Sequence, residues 1–501
     1  MDDIKTKIKN IFTKPQSKYI YFLFFFIPII YYLFGYQNLD NDFYFLYPTG
    51  KYTVSHGFPS TLLFTIHKGY NFIVQQWGST VIFYFIYSTF GKMGMLIFIF
   101  LCYLLIIYLS YKLCYIISEK RSTSVFISCL MSFFLATIFI RTRPQVFDYI
   151  IFLIEFILLE SYFKKNERKY LLGLPILSLL MINLHASSFF LLFIFMLPYF
   201  IGTFKIKILD IESKKHERIP FIITSLIMFL TGFVNPYGIK SISYIFTSYG
   251  NFYINDLVTE MKAPLITDSL GFTIYVGIIL VYFLYFIFRN NKKIEIRYFF
   301  LLLGTTFLAL SSIKAFPYFV IASYFPLASY INDKFPKNKD ISLSNDAKID
   351  FITTICTMLI MMIIAFIASC DRTKNLRIDK ITNYLVKEEK KNKTKYKVYT
   401  NYDNGSYAEF KGLNVYIDSR AEAYLKVNNK KEDIIKEYYY MNYGGIDKEK
   451  FLLKYKFDYL IVDENESLYR FYLNTKDNKL YKKIMTENNP DKDTYLYKKL
   501  D

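Results

Sequence analysis

Two aspartates, Asp40 and Asp42, stand one residue apart just after the first apolar segment of the chain. In an extended segment, side chains at positions i and i+2 project to the same side, roughly 7 Å apart. Such a pair can hold a divalent cation, or one acid can take a proton from an acceptor while the other orients it. Carboxylates close to hydrocarbon often mark function, although a solvated loop would also carry them.

A basic pair with the same spacing, Arg141 and Arg143, is followed by Pro144 and Gln145. Guanidinium groups at a water–lipid boundary suit phosphate, which they bind through two parallel hydrogen bonds. A single arginine there is explained equally well as a snorkelling anchor for a helix end. Two arginines together on the outer side, where positive charge is normally rare, favour an anionic ligand.

Other polar residues stand at the ends of apolar segments, and each has a structural alternative. His185 follows Asn183 in a tight connection, the N-P-Y-G stretch at 235–238 is typical of a turn, and Glu260 suits a solvated loop. Residues 244–253 could form an interfacial helix over the site. The further candidates for the site are Gln145, His56, Trp77, Asn183, His185, Asn235, Tyr237, Glu260 and Lys314.

The composition of the 501-residue chain, 53% hydrophobic and 20% aromatic, indicates a membrane protein. The net charge of +19 would suit nucleic acid, but in the first part of the chain the basic residues cluster in short loops between apolar runs, so we predict no nucleic-acid partner. The five cysteines lack zinc-like spacing and suggest no disulfide framework. The richness in Phe, Tyr, Ile, Lys and Asn suggests an AT-rich bacterial genome.

Apolar runs predict about eleven transmembrane helices, since a span needs about 20 apolar residues and kinked spans tolerate fewer. The basic N-terminus leads into the first run without a small-residue cleavage site, which predicts a retained span. The predicted spans are 19–36, 93–116, 122–140, 146–163, 170–184, 187–204, 220–234, 270–288, 298–312, 316–331 and 350–369.

The aromatic run at 79–90 is too short to cross comfortably, and we expect it to lie in the outer interface. With that choice, the loops rich in Lys and Arg fall inside, so the N-terminus is predicted inside and the C-terminus outside the plasma membrane. The candidate site residues then gather at the outer side. The outer catalytic loop is predicted at 37–78, within a membrane domain at 1–369.

The composition changes near Cys370, and residues 370–501 predict a small extracytoplasmic α/β domain. Runs typical of strands lie at 397–400, 413–417 and 459–462, and runs typical of helices at 431–440 and 447–455. The charged segment 371–396 fits either a linker or a packed helix.

The order of these motifs resembles the GT-C superfamily of polytopic glycosyltransferases, including protein O-mannosyltransferases and enzymes that modify lipid A. The C-terminal domain adds a Y-D-x-G-x-Y and I-D-x-R pattern. The matching stretches are D-N-D at 40–42 with Q-W at 76–77, R-T-R-P-Q at 141–145, N-L-H at 183–185, N-P-Y-G at 235–238, E-M at 260–261, Lys314, Y-D-N-G-S-Y at 402–407 and I-D-S-R at 417–420.

The resemblance implies an inverting glycosyltransferase that moves a sugar from a polyprenyl-phosphate-linked donor to an envelope glycan, lipid or protein. Asp40 or Asp42 would be the base or hold a divalent metal. Arg141, Arg143 and Lys314 would stabilise the departing phosphate. Met261 stands where a tryptophan is more usual, which thins an aromatic contact, and Lys314 stands where an arginine is more usual, which replaces a forked donor with a point charge.

Two other functions remain open on the sequence. A transporter or flippase of lipid-linked glycans would bind phosphate with the same basic residues, and Glu155, in the middle of a predicted span, favours it. A non-catalytic membrane scaffold would retain the charged residues as structural pairs.

Overall fold

The computed structural model describes residues 23–35, 38–136, 139–208, 211–213, 216–248, 250–288, 293–331, 378–489 and 492–500. The predicted span at 350–369, the start of the first predicted span and the predicted boundary near 370 lie outside these residues. The domain limits therefore remain predictions.

The helices up to residue 331 correspond to predicted spans, except for those at 41–56, 239–248 and 252–257, which lie in stretches predicted to be outer connections. The helices are α1 (Phe26–Phe34), α2 (Asn41–His56), α3 (Trp77–Ser118), α4 (Arg121–Ala136), α5 (Gln145–Lys165), α6 (Leu174–Leu184), α7 (Phe189–Gly202), α8 (Ile219–Thr231), α9 (Ile239–Ser248), α10 (Phe252–Leu257), α11 (Ser269–Phe288), α12 (Ile296–Ser311), α13 (Phe316–Ser323) and α14 (Ala328–Ile331). Short strands β1 (Lys207–Ile208), β2 (Ile211–Glu212) and β3 (Ile294–Glu295) form a small sheet between loops.

Within the described ranges, two helices, α3 and α11, are both long and apolar enough to cross a membrane, and α4, α7, α8 and α12 are shorter apolar helices. The number of eleven spans therefore remains a prediction. Independently of helix length, the exposed apolar surface supports insertion in a membrane. Ile222, Leu226 and Leu230 form an exposed stripe along α8 at 56%, 59% and 55% exposure. An exposed apolar stripe of this kind would promote aggregation in water, and it suits contact with lipid.

Helix α3 is interrupted at Gly91, whose φ of 64° and ψ of −161° are not helical. A positive φ of this kind is adopted most easily by glycine. The break separates the aromatic stretch predicted at 79–90 from the following predicted span at 93–116. The stretch before the break packs against α2, with Phe43 contacting Phe83 and Tyr87.

The predicted outer loop is largely ordered, because most of its first half is helix α2. Gly50 on α2 lies so close to α3 that a Cβ there would be 2.1 Å from the Thr80 carbonyl oxygen. After α2 the chain reaches the C-terminal domain, where Thr65 pairs with Val415 as an isolated parallel bridge. The loop thus joins the helical bundle to that domain.

The C-terminal domain is an α/β fold around a five-stranded sheet of order β5-β4-β6-β8-β7. Strands β4, β5 and β6 are parallel, and β8 is antiparallel to β6 and β7. The three predicted strands are confirmed as β4–β6, and the described part of the charged segment before them contains a helix at Asp379–Asn392. The elements are α15 (Asp379–Asn392), β4 (Lys397–Tyr399), α16 (Tyr402–Phe410), β5 (Asn414–Val415), α17 (Lys426–Asn429), α18 (Ile434–Tyr443), α19 (Lys448–Tyr455), β6 (Tyr459–Asp463), β7 (Tyr481–Glu487) and β8 (Thr494–Lys499).

Candidate active site

The centre of the site is an ion-pair cluster around Arg143. Its Nε donates to Asp40 Oδ1 at 2.5 Å and lies 3.3 Å from Asp42 Oδ2, while its Nη1 donates to Glu260 Oε2 at 2.6 Å. Arg141 Nη1 lies 3.3 Å from the second oxygen of Asp40. The arginines predicted to bind phosphate therefore contact the predicted catalytic acids directly.

Local backbone structure holds the two aspartates in different positions. Asp40 is the N-cap of α2 and accepts a hydrogen bond from the Asp42 amide, while Asp42 lies in the first helical turn. The Asp40 amide donates to Thr142 Oγ1 at 2.6 Å, which ties this turn to the loop that carries the arginines. The sequence pattern suggested that Asp40 and Asp42 lie side by side on an extended segment. The structure shows instead that Asp40 caps a helix and Asp42 belongs to its first turn.

The same cluster moves the pKa values of the two acids in opposite directions. Burial works to raise the pKa of Asp40, but Arg143 and Arg141 outweigh it and hold the pKa below its ordinary value of 3.8. Burial raises the pKa of Asp42 to about 6, with the nearby Asp40 and Glu260 adding to the rise and Arg143 and Lys314 opposing it. Asp40 is therefore a fixed anion, and Asp42 can exchange a proton near neutral pH.

A cavity of about 330 Å³ opens beside Asp42 and contains several of the predicted site residues. The first turn of α2, the start of α5, helices α9 and α10 and the C-terminal domain form its walls. Asp40 and Arg141 face a second cavity of about 360 Å³, and Arg143 lines both. The predicted site residues that line the first cavity are Asp42, Arg143, Gln145, His185, Glu260 and Lys314.

Two loop contacts bring Lys314 and Glu260 to the same cavity. Ser312 Oγ donates to the Glu260 carbonyl oxygen at 3.0 Å, and the Ile313 amide donates to the Lys262 carbonyl oxygen at 3.0 Å. These bonds join the short 3₁₀ turns Thr259–Met261 and Ile313–Ala315. The cavity therefore combines a cation from one loop with a carboxylate from another.

The roof of the cavity comes from the C-terminal domain. Tyr402, Asp403, Ser419 and Glu422 line it, and burial raises the pKa of Glu422 from its ordinary value. The roof is held by the buried Arg420, which donates from Nη2 to Asp418 at 2.6 Å, to Glu409 at 2.7 Å and to the Leu63 carbonyl oxygen at 3.1 Å. This arginine links the I-D-S-R stretch to the outer loop.

His185 faces the cavity and is held by a buried acid. Its Nδ1 lies 2.7 Å from Asp148 Oδ2, and its Nε2 lies 2.8 Å from Ser187 Oγ, a residue that also lines the cavity. Ser188 Oγ donates to the same Asp148 oxygen at 2.7 Å. The acid fixes the orientation of the imidazole ring, as carboxylates do for functional histidines.

Several other predicted site residues support the scaffold and do not line the first cavity. Trp77 Nε1 donates to Asn183 Oδ1 at 2.8 Å. The Asn235 side chain donates to two carbonyl oxygens of its own turn, and the Tyr237 hydroxyl donates to the Pro59 carbonyl oxygen at 2.9 Å. His56 is exposed at the end of α2 and stacks on Tyr52.

Polar residues missed by the sequence analysis include Asp148, which lies behind His185, and the lining residues Ser187, Asp403 and Glu422. Asp148 lies in the first turn of α5, where an acid is also expected as a helix-dipole partner. Asp403 belongs to the Y-D-x-G-x-Y stretch, which was noticed as a motif but not as part of the site. Ser187 and Glu422 carried no signal of their own.

The arrangement of the acids bears on the predicted metal site. In the part of the chain that the structure describes, no group of three or more His, Cys, Asp or Glu residues is placed to hold a metal ion. Both Asp40 oxygens bind arginine, and Arg143 lies between Asp40, Asp42 and Glu260. As arranged, these carboxylates do not fit a divalent cation.

The fold is similar to that of solved archaeal oligosaccharyltransferases. The Archaeoglobus fulgidus enzyme tethered to an acceptor peptide with an NVT sequon matches at TM-score 0.55 and 11% identity, over 91% of this chain and 70% of that one. AglB from the same organism, with an inhibitory peptide and a dolichol-phosphate, matches at TM-score 0.54 and 11% identity, over 89% and 70%.

A third structure, the A. fulgidus oligosaccharyltransferase in complex with Zn and sulfate, matches at TM-score 0.50 and 12% identity, over 88% of this chain and 68% of that one. No protein-family model and no curated protein sequence matches the chain. The resemblance of the sequence motifs to GT-C enzymes is therefore confirmed at the level of the fold.

Proposed function

We propose that this protein is a plasma-membrane glycosyltransferase that moves a sugar from a polyprenyl-phosphate-linked donor to a hydroxyl of an envelope glycan, lipid or protein. The observation that carries the proposal is Asp42, a carboxylate with a pKa of about 6 in a cavity that also holds Lys314. A general base works best when its pKa lies near the working pH. The GT-C fold supports the same reaction class.

In this reaction Asp42 accepts the proton of the acceptor hydroxyl, and the acceptor oxygen attacks the anomeric carbon of the donor sugar. The bond between that carbon and the phosphate oxygen breaks, and the electron pair leaves with polyprenyl phosphate. A single displacement inverts the configuration at the anomeric carbon. Asp40 takes no proton, because its two arginine partners keep it ionised.

The donor phosphate would lie between Lys314 and Arg143, because both line the cavity on the side of the Glu260 loop. Their charges would stabilise the negative charge that gathers on the leaving phosphate. Leu265 and Ile266, which follow this loop, are exposed at 60% and 66%. They offer an exposed apolar surface for the isoprenoid tail.

The acceptor would enter under the C-terminal domain. Asp403, Ser419 and Glu422 line that side of the cavity and can hydrogen-bond sugar hydroxyls or a peptide backbone. The similar A. fulgidus oligosaccharyltransferase carries a tethered acceptor peptide, which supports a protein among the proposed acceptors. On this topology the cavity and the C-terminal domain lie on the outer face of the membrane.

The test is release of polyprenyl phosphate by detergent-solubilised protein supplied with polyprenyl-phosphate sugars and candidate acceptors. Loss of a general base typically costs about 10²–10⁴-fold in rate. The Asp42→Asn variant should therefore release polyprenyl phosphate about 10²–10⁴-fold more slowly than wild type. Asp268→Asn, which changes an exposed acid outside the cavity, is the matched control and should keep the full rate. A wild-type rate in Asp42→Asn would refute the assignment of Asp42 as the base.

A transporter of lipid-linked glycans is the second candidate, and Glu155 on α5 is the observation that favours it. Both of its carboxyl oxygens are buried and have no hydrogen-bond partner among the described residues. Unpaired buried acids inside membrane helices often serve transport. A transporter returns its lipid-linked sugar intact, so donor binding without release of polyprenyl phosphate would favour this function.

A further inference from the structure

Arg143 occupies a position that three carboxylates share. Asp40 and Asp42 approach Nε from the start of α2, at 2.5 and 3.3 Å, and Glu260 approaches Nη1 from a loop far along the chain, at 2.6 Å. The side chain is 19% exposed, so little water screens these contacts. One guanidinium therefore joins all three acids.

Three acids that converge in this way need a cation between them, because uncompensated negative charge in a half-buried site is strongly destabilising. Carboxylate oxygens are the preferred ligands of hard divalent metals such as Mn²⁺ and Mg²⁺. A guanidinium supplies the same kind of compensation, remains charged at every physiological pH and cannot be removed by a chelator. Arg143 already fills the space that a metal would need.

We propose that Arg143 is the permanent cation of this site, in the position where a divalent metal would otherwise bind Asp40, Asp42 and Glu260. The consequence for catalysis, that glycosyl transfer proceeds without a divalent metal, rests on the proposed function. The statement that Arg143 occupies the position of a metal does not depend on the proposed function.

The decisive experiment measures Mn²⁺ binding to purified full-length protein in detergent by electron paramagnetic resonance, with no substrate present. Wild type should show no saturable site. Arg143→Ala removes the guanidinium and should bind one Mn²⁺ at least about tenfold more tightly than wild type. Adding Asp42→Asn to that variant should remove the site again.

Arg141→Ala is the matched control, because Arg141 touches only one oxygen of Asp40 and is 43% exposed. It should gain no Mn²⁺ site. A single saturable Mn²⁺ site in wild type that Asp42→Asn abolishes would overturn the proposal. A folded Arg143→Ala that binds no Mn²⁺ would also overturn it, and if that variant does not fold, the wild-type titration still decides.

The two proposals fail in different ways. Addition of EDTA should leave polyprenyl phosphate release by wild type unchanged within about twofold, since a chelator cannot remove an arginine. Loss of release on chelation, restored by Mn²⁺, would refute the permanent cation but support the glycosyltransferase. Absence of release under every condition would refute the glycosyltransferase and leave the Mn²⁺ titration as the test of Arg143.

Discussion

The rate of glycosyl transfer should depend on pH through Asp42. Burial in the cavity raises the pKa of this acid to about 6, and the negative charges of Asp40 and Glu260 add to the effect, while Arg143 and Lys314 oppose it. A base acts only when deprotonated, so kcat/KM should rise with pH and level off above the pKa.

The expected magnitude follows from that value. With a pKa of about 6, the deprotonated fraction of Asp42 falls from about 0.9 at pH 7 to about 0.1 at pH 5, which predicts a loss of about tenfold in kcat/KM. At the ordinary aspartate value of 3.8, the same change of pH would cost less than about 10%. The two cases are easily separated.

The assay is the initial rate of polyprenyl phosphate release at limiting donor, measured from pH 5 to pH 8 in a constant-ionic-strength buffer. His185 also faces the cavity, so His185→Gln is the control and should keep the tenfold loss at low pH. A kcat/KM that changes less than twofold between pH 7 and pH 5, in protein that stays folded, would refute the reasoning. So would a loss that disappears in His185→Gln.

Three further outcomes are expected. Glu260→Gln removes a negative charge that raises the pKa of Asp42, so the midpoint of the pH–rate curve should move below pH 6; an upward shift would contradict the electrostatic account. Gly50→Ala places a Cβ against a carbonyl oxygen of α3 and should cost about 1–3 kcal/mol, read as a lower melting temperature in detergent. Gly304→Ala, where a Cβ meets nothing within 4 Å, should be neutral or stabilise by up to about 1 kcal/mol, and equal melting temperatures of the two variants would contradict the close-packing argument. A tag placed after Asp501 should be accessible to a membrane-impermeant label in intact cells, and labelling only after lysis would reverse the predicted topology.

The positions of most helices could be predicted from the sequence, because a run of apolar residues by itself indicates a segment that is buried or inserted in lipid. The prediction of a span at 146–163 corresponds to helix Gln145–Lys165, and the break at Gly91 falls between the predicted interfacial stretch and the next span. The same holds for β4, β5 and β6. Strand β7 was missed because two consecutive exposed lysines, Lys482 and Lys483, interrupt the alternation that marks a strand.

The site was readable in part. Asp42, Glu260, His185 and Lys314 were marked by polar character at the ends of apolar runs, and they share one cavity. The partners of Arg143 were not readable. The arginine is separated from Asp40 by 103 residues and from Glu260 by 117, and periodicity carries no information on pairing at such distances.

The sequence by itself predicted which segments enter the membrane and showed where charged residues interrupt the apolar runs, since both depend on the local balance of apolar and polar side chains. The tertiary structure alone decided how those charges combine. Packing of α2 on α3 and of the C-terminal domain on the outer loop brings one arginine between three acids, and it gives Asp40 and Asp42 opposite pKa shifts although a single residue separates them. The physical reason is that a pKa depends on burial and on every charge within a few ångströms, whatever its place in the chain.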